Sequence, residues 1–315
     1  MKTLITGGNG FIAQNLKLHL EIKYPHNVVA PSHEELDICD CKAVYEYLKK
    51  YKINVIVHTA NYDAINQYKN NVKNKTVEIN LRMFFNLVKH RALYEKLICL
   101  GTGAEYGLDN IHSHKWKEDD FDIDIPKNEY GFSKYIMSKY AESVDFITVL
   151  RLFGVYGGHD DWKTKFISRS CCRVLSGIPI EIYKDRLMDY IHVKDLCKII
   201  DFFINNDIEH KHYNVCSGES KKLSDIATYI QKCNTNAIIN TMELTQPLIT
   251  NIGYTPLYTG SITRLRKEYK KVFIHLRTGI KNLYEWYKKN PHEYNKEFII
   301  HEWEQSNGSD SKRTE

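Results

Sequence analysis

Tyr130 and Lys134 close the segment Tyr130-Gly131-Phe132-Ser133-Lys134, a spacing that puts both side chains on one face of a helix. A phenol with a reference pKa of about 10 is a poor acid near neutrality. An ammonium one turn away favours the phenolate and lowers that pKa, so the tyrosine can exchange a proton with a carbonyl or hydroxyl oxygen. Thr102 follows the apolar run Lys96–Leu100 and is placed to hydrogen-bond the same oxygen. In a chain with 22 tyrosines the pair alone means little. It gains weight from a second motif.

That motif is Thr6-Gly7-Gly8-Asn9-Gly10-Phe11-Ile12-Ala13, between a strand-like run and an amphipathic stretch. Gly7 permits a tight turn, Gly10 lets backbone approach a phosphate, and Ala13 lets helix and strand pack closely. A helix starting at Phe11 and Ile12 would then offer free N–H groups and a partial positive charge to a dinucleotide pyrophosphate. An acid closing the second strand would select NAD by binding the ribose 2′-hydroxyl. The chain instead reads Val28-Val29-Ala30-Pro31-Ser32-His33, with no acid before Glu34. Ser32 and His33 can flank a 2′-phosphate, which favours NADP(H) and leaves NAD(H) possible.

These residues need a frame, and the apolar pattern supplies one. Lys2–Thr6, Asn27–Ala30, Asn54–His58, Lys96–Leu100 and Phe146–Leu152 read as strands. Between them fall helical stripes: Ile12, Leu16 and Leu20; Val44 and Leu48; Val77, Leu81, Phe84, Phe85 and Val88. Strict alternation implies an α/β fold, a doubly wound parallel sheet covered on both faces. From about residue 153 the pattern loosens. Ser224 is a plausible N-cap before Ile226 and Ile230, and Leu276, Ile280 and Leu283 mark a late helix. We expect a dinucleotide-binding domain over 1–165, rejoined by a segment near 186–215, and a smaller α+β substrate lobe over 166–295. A C-terminal extension over 296–315 would follow, with its polar last ten residues disordered.

Composition narrows the function. Lysine and arginine number 44 against 39 acids, a scattered excess of +5 that argues against nucleic acid but suits an anionic small ligand. No apolar run approaches the ~20 residues of a membrane span. Gly7 and Gly8 come too early to leave room for a signal-peptide core. The eight cysteines form no CxxC pair, so we expect no metal site, reduced thiols and a cytoplasmic protein.

The motifs together resemble an extended short-chain dehydrogenase/reductase of the nucleotide-sugar-modifying group, the NAD-dependent epimerase/dehydratase family with its Rossmann-type sheet. Beyond the two motifs above, the resemblance is carried by Asp37-Ile38, His58-Thr59-Ala60, Asn80, Gly101-Thr102 through Tyr106-Gly107, Arg151 through Gly157, Asp189 through Asp195, and Tyr213-Asn214-Val215. It implies that Asp37 and Ile38 hold the adenine and that Thr59 and Ala60 line the cofactor. Asn80 would orient Lys134 through a water. Thr102, Tyr130 and Lys134 would be the catalytic set. His192 reads as structural.

Within the family, dehydratases carry an Asp-Glu pair directly after the catalytic threonine, where this chain has Gly103 and Ala104. GDP-fucose synthases, the closest in style, carry a cysteine at Ala104 and a histidine near Lys165-Phe166, and both are missing here. Epimerisation at carbons 3 and 5 therefore lacks its proton-transfer groups. What is left is hydride transfer: an NADP(H)-dependent reductase of the 4-keto group of a nucleotide-activated deoxysugar. The alternatives are an NAD-dependent 4-epimerase using the same residues and, from another class, a dinucleotide-binding sensor without catalysis. A diphosphate needs cationic partners. The arginine usual before Asp-Tyr-Ile-His is replaced by Met188, so Lys165, Arg169 and Arg186 are the candidates. By resemblance the protein is a homodimer. Trp286, Tyr287 and Trp303 read as core.

Overall fold

The structure is a computed structural model that describes residues 1–62, 75–107, 114–241 and 256–308. The first half alternates as follows: β1 Thr3–Ile5, α1 Phe11–Lys23, β2 Val28–Val29, α2 Cys41–Tyr51, β3 Val55–His58, α3 Thr76–Lys89, β4 Lys96–Thr102, α4 Glu129–Glu142 and β5 Ile147–Leu152. After β6 Gly154–Tyr156 come α5 Phe166–Leu175, β7 Ile180–Ile182, β8 Leu187–His192, α6 Val193–Asn205 and β9 His212–Val215. The chain continues with β10 Ser220–Lys222, α7 Leu223–Gln231, β11 Ile239–Thr241, β12 Leu257–Tyr258, α8 Thr263–Glu268, α9 Leu276–Lys289 and α10 Lys296–Gly308.

Six strands make one parallel sheet in the order β2-β1-β3-β4-β5-β9, the Rossmann-type arrangement expected. The chain leaves β1 to one side for β2 and later joins its other side with β3. Ligands of such sheets bind outside the carboxyl ends of the strands at that reversal. Helices cover both faces. Ile5, Val57, Leu100 and Leu152 pack against Leu16, Leu20 and the α6 residues Leu196, Ile199 and Ile200. Leu4, Ile56, Cys99 and Val149 pack against Val44, Leu48, Phe84, Leu87 and Met137. The second lobe is built on a short sheet, β10-β8-β12 with β6 beside β8, and on α5, α7, α9 and α10.

Two local expectations are corrected. On α3 the buried residues are Thr76, Asn80, Met83, Phe84 and Leu87, while Phe85 stays 38% exposed. The apolar stripe holds for Phe84, and Leu81 and Val88 pack partly buried against the core, but it includes the exposed Phe85 and omits Asn80, whose burial is offset by hydrogen bonds that hydrophobicity does not register. Ser224 lies inside α7 rather than capping it. Its N–H and hydroxyl both donate to the carboxylate of Asp185, 3.0 and 2.7 Å away, so the helix start is capped by a distant residue. The expectation for the polar tail falls, from residue 309 onward, outside the described residues.

Three buried histidines set an acid limit on stability. Burial depresses His58 to about 3, His192 to about 4 and His212 to about 3. All three are neutral in the fold, whereas the unfolded chain takes up protons below about 6.5. Their stabilising contribution is whole above that pH and shrinks as pH falls toward 4. Denaturation midpoints should therefore drop steadily between pH 6.5 and 4. A flat profile over that range would contradict the burial of these rings.

Candidate active site

The glycine turn occupies the reversal point. Gly7 has φ 69°, and a side chain there would meet Ala60 Cα at 3.0 Å. The hydroxyl of Thr6 accepts the N–H groups of Thr59 and Ala60, both at 3.1 Å. Thr59 Oγ1 donates to the Thr6 carbonyl at 2.5 Å. Gly7, Thr59 and Ala60 are thus locked together at the ends of β1 and β3. Gly10 is the N-cap of α1, with no side-chain cap and no acid in the first turn of the helix. Uncapped N–H groups and the helix dipole suit an anion. Gly8 is equally constrained, since a Cβ would sit 2.1 Å from the Ala30 carbonyl oxygen. Gly8→Ala should force the turn off β2, and dinucleotide titration should show an affinity at least about tenfold weaker, the loss of more than 1.4 kcal/mol. Wild-type affinity would mean that the turn can move.

Around the second strand, Ser32 and Glu35 clasp each other. Ser32 N–H donates to Glu35 Oε2 at 2.8 Å, and Glu35 N–H donates to Ser32 Oγ at 3.3 Å. The side chain of His33 is 78% exposed. Asp37 accepts the N–H of Cys39, and Ile38 is buried in the α2–α3 core.

α4 carries Tyr130 and Lys134. Asn128 caps it by accepting the N–H of Gly131 at 2.7 Å, so Tyr130 stands in the first turn, half-buried against the apolar cluster of the second lobe. One turn on, Lys134 is buried, and its Nζ donates to the Leu100 carbonyl at 3.0 Å. Burial lowers its pKa below that of an ordinary lysine. Gly131 packs close to the Ala104 carbonyl, where a Cβ would stand only 2.9 Å away. This contact seats the start of α4 on the turn that follows β4. Thr102 ends β4 and caps that turn, its Oγ1 accepting the N–H of Ala104 at 3.3 Å. The expected set of Thr102, Tyr130 and Lys134 therefore gathers at the end of the sheet that holds the glycine turn. Ala104 is fully buried, and Gly103 is closed in by Phe153 and Tyr258.

Three further residues belong to this site. Glu105, fully buried, accepts Thr102 N–H at 2.8 Å, Ser138 Oγ at 2.5 Å and Arg151 Nε at 2.8 Å. Tyr258, from β12, brings its hydroxyl within 3.5 Å of Thr102 Oγ1, and burial raises its pKa to about 12, so it remains protonated. His58, at the end of β3, bonds Thr6 Oγ1 through Nδ1 at 2.9 Å. Glu105 and His58 lie within motifs of the sequence, but nothing in their spacing told their roles. Tyr258 had no signal, because β12 joins the site only through pairing with Met188 of β8. Asn80 closes on Tyr62: its Oδ1 accepts Tyr62 N–H at 2.8 Å, and its Nδ2 donates to Tyr62 carbonyl at 2.9 Å and to Ser133 Oγ at 3.3 Å. His192 caps α6 by accepting Lys194 N–H, a structural task.

The cationic candidates separate. Arg169 donates to Glu302 Oε2 at 3.0 Å and to the Lys163 carbonyl at 2.7 Å, tying α5 to α10. Lys165 is exposed at the start of α5. Arg186 is half-buried, and its charge lies near enough to lower the pKa values of Tyr190 and Tyr258 against the rise that burial gives them. Among the described residues its guanidinium has no hydrogen bond or ion pair. Arg186 is near Tyr258, whose hydroxyl meets Thr102, whereas Arg169 is committed to Glu302.

A glycine-lined crevice at the reversal of a parallel sheet, with a Tyr/Lys pair and a threonine at its edge, defines an oxidoreductase-like site of the short-chain dehydrogenase/reductase kind. The chain belongs to the NAD dependent epimerase/dehydratase family, whose model matches residues 3–216. It is 30% identical over 227 residues to a GDP-6-deoxy-D-talose 4-dehydrogenase from Aggregatibacter actinomycetemcomitans, covering 69% of this chain and 75% of the relative. Among solved structures, a GDP-mannoheptose C4 reductase from Campylobacter jejuni with NADP bound superposes with a TM-score of 0.75 at 21% identity, over 91% of this chain and 98% of that one. A UDP-glucose 4-epimerase from Thermus thermophilus in complex with NAD gives 0.76 at 21% identity, over 91% and 99%. These two likenesses speak for the fold. No described helix is long and apolar enough to cross a membrane.

Proposed function

We propose that the protein is an NADP(H)-dependent reductase of the 4-keto group of a nucleotide-activated deoxysugar, acting without epimerisation at carbons 3 and 5. The observation that carries this reading is the composition of the turn after β4. Thr102 offers a hydroxyl, while the next two positions, Gly103 and Ala104, are packed shut and hold no titratable group. Proton transfer at carbon 4 is thereby served, and proton transfer at neighbouring carbons is not.

The residues present fit a dinucleotide. Gly7 and Gly8 shape a turn that no side chain could enter, and the uncapped start of α1 at Gly10, Phe11 and Ile12 suits the pyrophosphate. Thr59 and Ala60, tied to the glycine turn through Thr6, would line the cofactor, and Asp37 and Ile38 would hold its adenine. His33, open to solvent with Ser32 beside it, is our candidate for the 2′-phosphate. When bound, the cofactor supplies the hydride. Tyr130 hands its phenolic proton to the carbonyl oxygen, Thr102 donates a hydrogen bond to the same atom, and Lys134 holds the tyrosine as its charge develops. Arg186 is our candidate for the diphosphate, and the names of the curated relatives favour a GDP-sugar as the first to try. We place the enzyme in the cytoplasm as a homodimer.

The test is incubation with NADPH and GDP-4-keto-6-deoxysugars, following absorbance and product stereochemistry. Stoichiometric NADPH consumption supports the reductase. Interconversion of carbon-4 epimers by protein carrying its own NAD, with no net consumption, would establish the 4-epimerase instead. Arg186→Ala should weaken nucleoside diphosphate binding by about 10-fold or more, the loss of one charge-assisted contact of roughly 1.5–3 kcal/mol. Unchanged affinity in calorimetry would remove Arg186 from the substrate site.

A further inference from the structure

His58 is buried, and its hydrogen bonds fix its tautomer. Thr6 Oγ1 accepts two backbone N–H groups, from Thr59 and Ala60, which fills both lone pairs of the hydroxyl. Its own proton therefore goes to His58 Nδ1, 2.9 Å away. The imidazole accepts at Nδ1 and carries its hydrogen on Nε2. That Nε2–H is buried and finds no protein acceptor among the described residues. A buried N–H without an acceptor is costly, and such groups are usually met by ordered water.

The neighbours of His58 show what its Nε2–H lies close to. His58 on β3 pairs in register with Cys99 on β4, and both belong to the face that α4 covers. Lys134 reaches down from α4 to the carbonyl of Leu100, the next residue along β4. Its charge is felt by both His58 and Cys99. Of the three ammonium hydrogens, one is used by Leu100. Both hydrogens of the Asn80 side-chain amide are spent on Tyr62 and Ser133. Two donors on the face that α4 covers, the His58 imidazole N–H and the Lys134 ammonium, thus keep hydrogens that no described residue accepts. A water oxygen, with two lone pairs, satisfies both.

We propose that His58 Nε2 and Lys134 Nζ share one buried water, which makes His58 a positioning residue for the lysine that tunes Tyr130. The inference rests on the Tyr130/Lys134 assignment, whichever reaction those residues serve. Two variants divide the ring's functions. His58→Asn keeps an acceptor near Nδ1 for Thr6 and loses the Nε2–H. His58→Gln keeps a donor near Nε2 and loses the acceptor. The readout is the ionisation of Tyr130, taken as the ultraviolet difference between each protein and its Tyr130→Phe counterpart, with and without NADP⁺. His58→Asn should move that ionisation upward by about half a pH unit or more, since a less firmly held ammonium favours the phenolate less. His58→Gln should leave it close to wild type while weakening NADP⁺ binding through Thr6. Equal shifts in both variants, or none in His58→Asn, would overturn the proposal. A wild-type Tyr130 that ionises like free tyrosine would overturn the Tyr130/Lys134 pairing as well, so the two failures are distinguishable. Nitrogen-15 spectra of the wild-type protein need no variant. A neutral Nε2–H tautomer in contact with a long-lived water is expected, and an Nδ1–H tautomer would refute it.

Discussion

Tyr130→Phe is expected to lower kcat for ketone reduction by about 10²- to 10⁴-fold, the usual worth of a positioned general acid. The ring stays, so its packing against the second lobe stays, and so does the N-capped first turn of α4. What is lost is one hydroxyl. Thr102 still donates to the developing oxyanion, but a threonine cannot supply the proton that the product alcohol requires. Water would have to supply it at the edge of a site where Thr102 is only 6% exposed. NADPH affinity should be nearly unchanged, because the glycine turn and the start of α1 are remote from the hydroxyl. Single-turnover reduction, with cofactor binding followed separately by fluorescence, resolves the two effects. Turnover within about threefold of wild type would mean that another group delivers the proton, since a real general acid contributes far more than that.

The alternation of strands and helices and the place of the glycine turn were legible because both follow from local signals: apolar runs at alternating periods and a glycine turn between a strand and a helix. That Thr102, Tyr130 and Lys134, the set proposed for catalysis, lie at one end of the sheet was foreseeable for a similar reason. Tyr130 and Lys134 are close in sequence, and Thr102 stands at the end of an apolar run that reads as a strand. The partners of that set were much harder to read. Tyr258 lies 156 residues beyond Thr102 and reaches it only because β12 pairs with β8. Arg169 and Arg186 look alike in sequence, yet one is committed to Glu302 and the other is not. That difference depends on where α10 packs, a matter of tertiary contact. The buried place of Asn80 on α3 was hidden for the same reason, since it depends on the bonds the side chain makes to Tyr62 and Ser133.

Glu105 shows how stability and chemistry meet in one buried group, and it carries the second large prediction. Its side chain is fully buried, as is that of Arg151, whose Nε lies 2.8 Å from Glu105 Oε2. The guanidinium lies over Phe121, 4.1 Å from the ring centroid, and the Arg151 side chain is 1% exposed. Arginine does not shed its proton in proteins. Glu105→Ala therefore leaves a buried charge without its counterion, and the expected loss is about 3–5 kcal/mol of unfolding free energy. Glu105→Gln keeps an amide oxygen for Thr102 N–H, while its NH2 can donate to Ser138 Oγ but no longer accepts from Arg151, so the loss should be smaller than in Glu105→Ala. Catalysis should suffer in step, because the bond that fixes the backbone of Thr102 is the one that Glu105 Oε1 makes. Urea denaturation of the three proteins orders them wild type, Glu105→Gln, Glu105→Ala. A Glu105→Ala midpoint equal to wild type would show that water or another acid reaches Arg151, and that Thr102 is held by β4 alone.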